Sequence, residues 1–515
     1  MSKLTMKRYL KWMMGGAALS LMLTACSPEA KVPETFTPLQ EEATIYPDYT
    51  DVTIPANIAP MNMCVEDETA HEFVMKITGK KGDLLCYASG NGKMRMDTTA
   101  WRQLTEQNRG EMLTVEVYAH RVNGWVRYTP YKIKVAKEDI DGFLSYRLIE
   151  PGYELYRQLG LYQRNLSNFE VTPIYENNRV YDNDHNHCIN CHNYQAYDTE
   201  RMLFHVRGSH GGTLIAQGKE VQKIGIKHDS ILSAGVYPSW HPTLPLVAFS
   251  TNKTGQAFHM KHAEKIEVVD EASDLLLYDA EKNTVTNVLR GWNAMETFPC
   301  WNPTGDTLYY CQAETPQLMA MADSLRTSYL LSHYDSLRYN VMCMPFDATT
   351  RTFGAPKMVV DCAADEQSAS VPRVSPDGRY VLYTRGDYGQ FHIWHRSADL
   401  WVKDLQTGED RALKTTNAAN QPDSYHTWSS NGRWIVFASR RLDGNFSRVF
   451  IAYFDENGQA HKAFLLPQED PEYNILLLKS FNVPELTRSA VKVSKDEFYQ
   501  VIYNTKSTPA TFVSR

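Results

Sequence analysis

Residues 373–383 read RVSPDGRYVLY, in which two short apolar runs flank the turn Asp377-Gly378. Three other stretches of the chain repeat this order of strand, turn and strand. The four units pair residues 239–242 with 246–249, 300–303 with 308–310, 373–376 with 380–383, and 427–430 with 434–437. Because repeated groups of short strands and hairpins are the sequence pattern of propeller blades, the chain is predicted to be mainly β and to contain a β-propeller.

The four units resemble the TolB-like, or WD repeat-like, propeller repeats, whose mark is a Trp-x-Pro-[Asp/Asn]-Gly turn. Val374 stands where that motif has tryptophan, and Ser430 stands where it has proline. Residues 202–217 and 474–505 are expected to supply further strands, which gives five or six blades. The recurring tryptophans are expected to pack the blades rather than to line a cofactor site: Trp240, Trp301 and Trp428.

The chain of 515 residues is too long for one ordinary core, so several regions are expected. Residues 1–25 are predicted to be a lipoprotein signal peptide, and residues 26–44 a proline-rich tether. Residues 45–137 show the alternation of a small β-sandwich, which precedes a haem-binding segment at residues 138–200. Residues 201–515 are assigned to the propeller.

The N-terminus predicts export. Four basic residues precede a short apolar core, which is typical of a signal peptide rather than a membrane span. The run Leu23-Thr24-Ala25-Cys26 resembles the bacterial lipobox, which implies that Cys26 is lipidated and anchors the protein to a membrane. The alternative is a plain secretory signal that leaves Cys26 as a free thiol. The predicted location is the cell envelope, as an outer-membrane lipoprotein that faces the periplasm or the cell surface.

The sequence Cys188-Ile189-Asn190-Cys191-His192 is a CxxCH haem-attachment signature. Two thiols three positions apart are expected on one face of a helical turn, where both can form thioethers with the vinyl groups of one haem. His192 then presents its imidazole to the iron. We therefore predict one covalent haem c, held by Cys188 and Cys191, with His192 as the proximal iron ligand.

Two other readings of this motif are open. A zinc site would use Cys188 and Cys191 with His185, His187 or His192, but zinc usually needs a second ligand pair from elsewhere. A redox-active disulfide would want its CxxC at the start of a helix in a thioredoxin-like unit, whereas this motif follows a polar loop.

Together, the lipobox, the CxxCH motif and the propeller repeats resemble the envelope lipoprotein cytochromes of Bacteroidetes-type bacteria. More distantly, they are similar to the propeller subunit of hydrazine synthase, which pairs a propeller with c-type haems. The resemblance implies thioether links at Cys188 and Cys191 and iron ligation by His192. The resemblance does not imply the substrate chemistry of hydrazine synthase, since this chain has one CxxCH motif.

A sixth iron ligand is expected close to the motif in sequence. Residues 202–206 read as a strand, which places His205 on one face and Met202 on the other. His205 is the first choice because a strand positions a ligand rigidly. The alternatives are Met202, His210 in a glycine-rich turn, and His185 in the polar loop before the motif.

The predicted function is electron transfer by a monohaem cytochrome whose propeller docks a redox protein. The alternatives are a haem oxidoreductase with an open sixth site, such as a peroxidase or a reductase of nitrogen compounds, and a binding module with structural haem. The formal net charge of −7 argues against nucleic-acid binding. Six further cysteines leave disulfides and buried thiols equally open; nearness in sequence favours 64 with 86, 300 with 311, and 343 with 362.

Overall fold

The computed structural model describes residues 30–150, 158–178, 187–262, 264–291 and 293–514, and this part of the chain is mainly β. Cys26, His185 and the signal peptide lie outside the described residues. No helix within these ranges is long and apolar enough to span a membrane.

The N-terminal region forms a seven-stranded sheet and a three-stranded sheet. Its elements are β1 (Thr37–Glu42), β2 (Ile45–Tyr46), β3 (Thr53–Ile54), β4 (Met63–Val65), β5 (Ala70–Thr78), β6 (Asp83–Ser89), β7 (Lys93–Met94), α1 (Thr98–Gln107), β8 (Met112–Arg121), β9 (Gly124–Thr129) and β10 (Tyr131–Val135). The larger sheet has the order β1-β9-β8-β10-β3, with β5 paired to β8 and β6 to β5, and the smaller sheet has the order β2-β4-β7. This agrees with the β-rich region expected there.

The first half of the remaining chain supplies strands to four sheets. Its strands are β11 (Phe143–Ile149), β12 (Leu159–Asn165), β13 (Val171–Glu176), β14 (His187–Gln195), β15 (Asp198–Gly208), β16 (Gly212–Gln217), β17 (Glu220–Gly225), β18 (Val236–Trp240), β19 (Leu246–Phe258), β20 (Ile266–Asp279), β21 (Thr284–Leu289), β22 (Ala294–Trp301) and β23 (Thr307–Glu314).

The second half adds the short helices and the remaining strands. They are α2 (Pro316–Met319), α3 (Asp323–Ser332), β24 (Asn340–Asp347), β25 (Thr352–Phe353), β26 (Lys357–Val360), β27 (Ser368–Val374), β28 (Tyr380–Gly386), β29 (Asp399–Asp404), β30 (Asp410–Ala412), β31 (Asp423–Trp428), β32 (Trp434–Ser439), β33 (Arg448–Tyr453), β34 (Phe464–Leu465), α4 (Tyr473–Leu476), β35 (Ser480–Thr487), α5 (Lys495–Asn504), β36 (Thr508–Pro509) and β37 (Thr511–Phe512).

These strands form mainly antiparallel sheets arranged as a propeller, with β36 and β37 added in parallel to β17 and β21. The sheets are β35-β11-β12-β13, β14 to β17 with β36, β18 to β21 with β37, β22 to β26, β27 to β30, and β31 to β34. The first strand of each sheet contacts that of the next, in the cyclic order β14, β18, β22, β27, β31, β35 and back to β14. Because β35 pairs with β11, the C-terminal part of the chain completes a sheet begun near residue 143 and closes the ring.

The four sequence units each supply the first two strands of one sheet. Each unit turns between those strands, at Gly305, Gly378 and Gly432 with φ between 69° and 77° in three of them, a range that favours glycine. The recurring tryptophans are buried in the hydrophobic core, as expected: Trp240, Trp301 and Trp428.

Two of the expected boundaries differ from the structure. Strand β1 lies inside the segment predicted to be a tether, because it pairs in parallel with β9 from Thr37 to Glu42. Within its described residues, the structure also has no separate haem-binding segment at residues 138–200, and the propeller does not begin at residue 201. Strands β11 to β13 already belong to the ring, and β14 is the first strand of the next sheet.

A bulge recurs in the innermost strand of every sheet of the ring. The pairing register shifts at the same place in each of these strands. At each shift one residue that is not glycine has φ between 47° and 54°: Cys191, Tyr237, Phe298, Val371, Tyr425 and Val483. An inserted residue of this kind bends the strand and re-aims the side chains beside it.

The eight described cysteines are free thiols, so none of the three favoured disulfide pairs is formed. Cys311 lies opposite Thr297, whereas Cys300 lies opposite Tyr309, and the bulge of β22 separates the two positions. The Sγ of Cys86 instead donates to the carbonyl of Arg95 at 3.1 Å.

Candidate haem site

The CxxCH motif lies on strand β14 and not on a helical turn as expected. Strand β14 pairs with β15 along both sides of the motif, and the register shifts between Asn190 and Asn193. The bulge therefore falls on Cys191 and His192. A regular strand would alternate its side chains between the two faces, and the extra residue breaks that alternation inside the motif.

The first thiol of the motif is partly buried. The Sγ of Cys188 lies 3.7 Å from the carbonyl of Ile189. Burial raises the pKa of the Cys188 thiol, and the guanidinium groups of Arg147 and Arg207 act in the opposite direction. Two positive charges beside this sulfur therefore offset part of the cost of forming a thiolate.

The second thiol lies where the innermost strands converge. Cys191 is half-buried at the bulge, and Tyr237 and Tyr425 occupy the same bulge position in two other sheets. Burial raises the pKa of both tyrosines, and a negative charge on Cys191 would raise each further. The Tyr237 ring packs 4.4 Å from that of Phe298, so Cys191 borders an aromatic cluster.

The imidazole of His192 is buried with one nitrogen unsatisfied. Its side chain is 2 % exposed, and its Nε2 has no hydrogen-bond partner among the described residues. Burial, with a further contribution from Arg147, lowers the pKa of His192 to about 3. The ring is therefore neutral at physiological pH, which is the form that ligates a metal.

Glu485 is the acidic group beside this ring. Its Oε2 lies 3.9 Å from His192 Nε2, beyond hydrogen-bond distance. Its Oε1 accepts hydrogen bonds from Asn193 Nδ2 at 3.0 Å and from the backbone amide of Tyr194 at 3.3 Å. Burial raises the pKa of Glu485 to about 8, which favours the neutral carboxylic acid.

Three arginines surround the motif: Arg147, Arg207 and Arg373. Arg147 donates from Nη1 to the carbonyl of Ile189 at 3.1 Å and from Nη2 to Asn482 Oδ1 at 2.9 Å. Within the described ranges, no carboxylate lies within ion-pairing distance of any of the three guanidinium groups. Unpaired positive charge at a partly buried site favours an anionic group there.

His205, the first choice for a sixth ligand, lies on the strand next to the motif. It is paired opposite Asn190 on β15, so it shares a face of the sheet with Cys188. Its ring is buried, and its Nδ1 lies 3.2 Å from Thr213 Oγ1. Burial lowers the pKa of His205 to about 3, so this imidazole is also neutral.

The described alternatives are less suited to that role. Met202 is fully buried and shares a core cluster with Phe204, on the opposite face of β15 from His205. The ring of His210 packs 4.2 Å from that of Tyr503 and 5.5 Å from that of His187. The expected alternation of His205 and Met202 on this strand is confirmed.

His187 precedes the motif and is engaged elsewhere. Its Nε2 lies 2.8 Å from the Tyr175 hydroxyl, and its carbonyl accepts from Asn177 Nδ2 at 2.7 Å. The side chain of His187 is therefore directed toward β13, to which Tyr175 belongs.

No protein-family model matches the sequence, and no curated protein is similar to it. Among solved structures, prolyl oligopeptidase B from Galerina marginata is 9% identical, covers 68% of this chain and 42% of its own, and has a TM-score of 0.36. A prolyl endopeptidase is 10% identical over 63% of this chain and 42% of its own, with a TM-score of 0.34. An ancestral GH74 enzyme is 8% identical, covers 85% and 71% of the two chains, and has a TM-score of 0.21.

The chain thus spans less than half the length of the two peptidases that it matches. These TM-scores are too low to support an argument from likeness. The propeller arrangement rests on the sheet topology, and the candidate site rests on its own residues.

Proposed function

We propose that the protein is a monohaem c-type cytochrome of the cell envelope that transfers electrons, with a six-bladed propeller as its scaffold. The observation that carries the proposal is the buried, unsatisfied Nε2 of His192 in a motif whose two thiols are unbridged. An unsatisfied buried nitrogen is costly, and ligation to a metal removes that cost.

The residues at the motif fit a covalently attached haem. Cys188 and Cys191 supply the two sulfurs, and His192 supplies a neutral nitrogen donor. The strand geometry differs from the helical turn that the spacing suggested, but the bulge at Cys191 changes the direction of the side chains within the motif. Haem iron, when bound, supplies one-electron chemistry by cycling between its ferrous and ferric forms.

The protein's own residues set the environment of this centre. His192 stays neutral because its ring is buried, and the bulge fixes the backbone from which that ring projects. Arg147, Arg207 and Arg373 provide positive charge that complements the carboxylates of a haem, and their guanidinium groups suit planar recognition of such carboxylates.

The remaining parts of the proposal come from the sequence. The signal peptide and Cys26 imply export and a lipid anchor, which place the haem where c-type attachment occurs. We propose that the propeller surface docks a redox protein of the envelope. A protein-bound sixth ligand suits a carrier, and an open sixth position would indicate a haem enzyme.

The proposal is tested by expressing the full chain in a host with c-type haem maturation. The expected product keeps its colour on the polypeptide through extraction with acidified organic solvent, and its reduced pyridine spectrum is that of a c-type haem. The double variant Cys188→Ala/Cys191→Ala should be colourless, because both thioethers are lost.

The matched control is Cys300→Ala/Cys343→Ala, which removes two thiols elsewhere in the ring and should retain all of the haem. Colourless wild-type protein, or protein that binds zinc through Cys188 and Cys191, would contradict the proposal. A mainly high-spin spectrum would support the bound haem but would favour a haem enzyme over an electron carrier.

A further inference from the structure

Two histidines and a glutamate meet on the large N-terminal sheet, on strands β5 and β8. The metal-binding atoms that His71, Glu72 and His120 offer all lie within 4.8 Å of one another. The two imidazole rings are 4.7 Å apart, and His120 Nδ1 lies 3.7 Å from Glu72 Oε2. We propose that these three residues bind a divalent transition-metal ion of the zinc class.

A bulge brings the ligands together. Consecutive residues of a regular strand point to opposite faces, so His71 and Glu72 would be separated by the sheet. The register of β5 against β8 shifts between Ala70 and Glu72, and Glu72 is paired opposite His120. His71 is the inserted residue, and its ring packs against that of His120.

A neighbouring strand holds the central ring in place. His120 is paired with Trp125 of β9, and the two rings stack 4.7 Å apart at an angle of 9°. Of the two ring nitrogens of His120, Nδ1 is shielded from water and has no hydrogen-bond partner among the described residues. A nitrogen that is fixed and unsatisfied loses little conformational freedom when it ligates an ion.

The donor set selects the ion. Two imidazoles and a carboxylate favour zinc and its neighbours over magnesium or calcium, which prefer oxygen ligands. Zinc–ligand bonds are about 2.0–2.2 Å long, so only small side-chain movements separate the present arrangement from ligation. His71 is exposed, which leaves access for the ion and a position for water.

Cobalt is a suitable probe because it occupies zinc sites and is coloured. The full chain, purified with a chelator and then dialysed, is titrated with Co²⁺ and followed by its visible ligand-field bands. One equivalent should bind, and zinc should displace it. Loss of an outer-shell partner typically weakens metal binding about ten- to hundredfold, so His71→Ala and His120→Ala should each weaken it at least tenfold.

The matched control is His228→Ala, which removes an exposed histidine that also stacks on an aromatic ring, that of Phe512. It should bind cobalt as the wild type does. Unchanged binding in His71→Ala, whose exposed side chain is not needed for folding, would overturn the proposal. So would intense thiolate-to-cobalt charge-transfer bands as the sole signal, since they would assign the ion to Cys188 and Cys191.

Discussion

Strands β14 and β31 share the same place in two sheets of the ring, yet their histidines differ in one bond. His192 and His426 each follow the residue with positive φ, and burial lowers the pKa of both to about 3. The Nε2–H of His426 donates a hydrogen bond to the Leu382 carbonyl at 3.1 Å, whereas His192 Nε2 has no partner among the described residues.

The difference separates a structural histidine from a candidate ligand. The other four sheets have proline at this position, namely Pro238, Pro299, Pro372 and Pro484. Proline has no backbone N–H to donate to a neighbouring strand, so this position does not need a backbone hydrogen bond between strands. Histidine at such a place needs its own hydrogen bonds, and His426 has them. His192 Nε2 has no such bond among the described residues, and the proposal of a metal ligand at His192 rests on this difference.

The largest effect is expected from removing the imidazole of His192 and, separately, that of His426. His192→Ala should abolish the low-spin spectrum of the haem protein, because the proximal ligand is lost. His426→Ala should leave that spectrum unchanged and lower the free energy of unfolding by about 2–4 kcal/mol, through the cavity and the unpaired Leu382 carbonyl. Absorption spectra and urea unfolding of both variants check the comparison. Equal spectral changes in the two variants would refute it.

A smaller effect is expected on the strand beside the motif. His205→Ala should convert low-spin haem to high-spin haem, because His205 shares a face of the sheet with Cys188 and is neutral. Met202→Leu is the matched control on the opposite face, and it should preserve the spectrum. Retention of low-spin character in His205→Ala, with loss in His210→Ala, would move the sixth ligand to the turn after β15.

The sequence predicted the ring because its repeats keep a local pattern. Each of the four units carries its turn and its second strand, so Gly378 and Tyr380–Val381 could be read without knowledge of distant contacts. The closing strand β35 was placed within residues 474–505, but its pairing with β11 joins residues more than 300 positions apart. No local pattern reports such a pairing, so the start of the ring was placed too late.

The sequence names the residues of the candidate haem site, and it does not give their geometry. CxxCH spacing is compatible with a helical turn, and the strand follows only from pairing with β15. Arg147 and Glu485 reach the site from β11 and β35, so sequence distance concealed both. One signal was present: Val483-Pro484-Glu485-Leu486 repeats the order of Tyr237-Pro238-Ser239-Trp240. Aligned with Cys191-His192-Asn193-Tyr194, it marks the motif as part of the repeat.

The smallest effect expected is on the acid sensitivity of folding, where His426 again provides the comparison. Its lowered pKa means that the unfolded chain binds a proton below about pH 6.5, while the folded chain stays unprotonated until about pH 3. Its contribution to stability is therefore complete above pH 6.5 and is lost as the pH falls toward 3, at no more than about 1.4 kcal/mol per pH unit. In His426→Gln, urea unfolding at pH 6.5, 5.5 and 4.5 should show that the unfolding free energy depends less steeply on pH, by about one proton.

His392 is buried in the same way, with its Nδ1 2.7 Å from Ser370 Oγ, and burial lowers its pKa to about 3. The double variant His426→Gln/His392→Gln should therefore lower the pH dependence of the unfolding free energy by about two protons in total. An unchanged pH dependence would show that neither imidazole resists protonation in the folded protein.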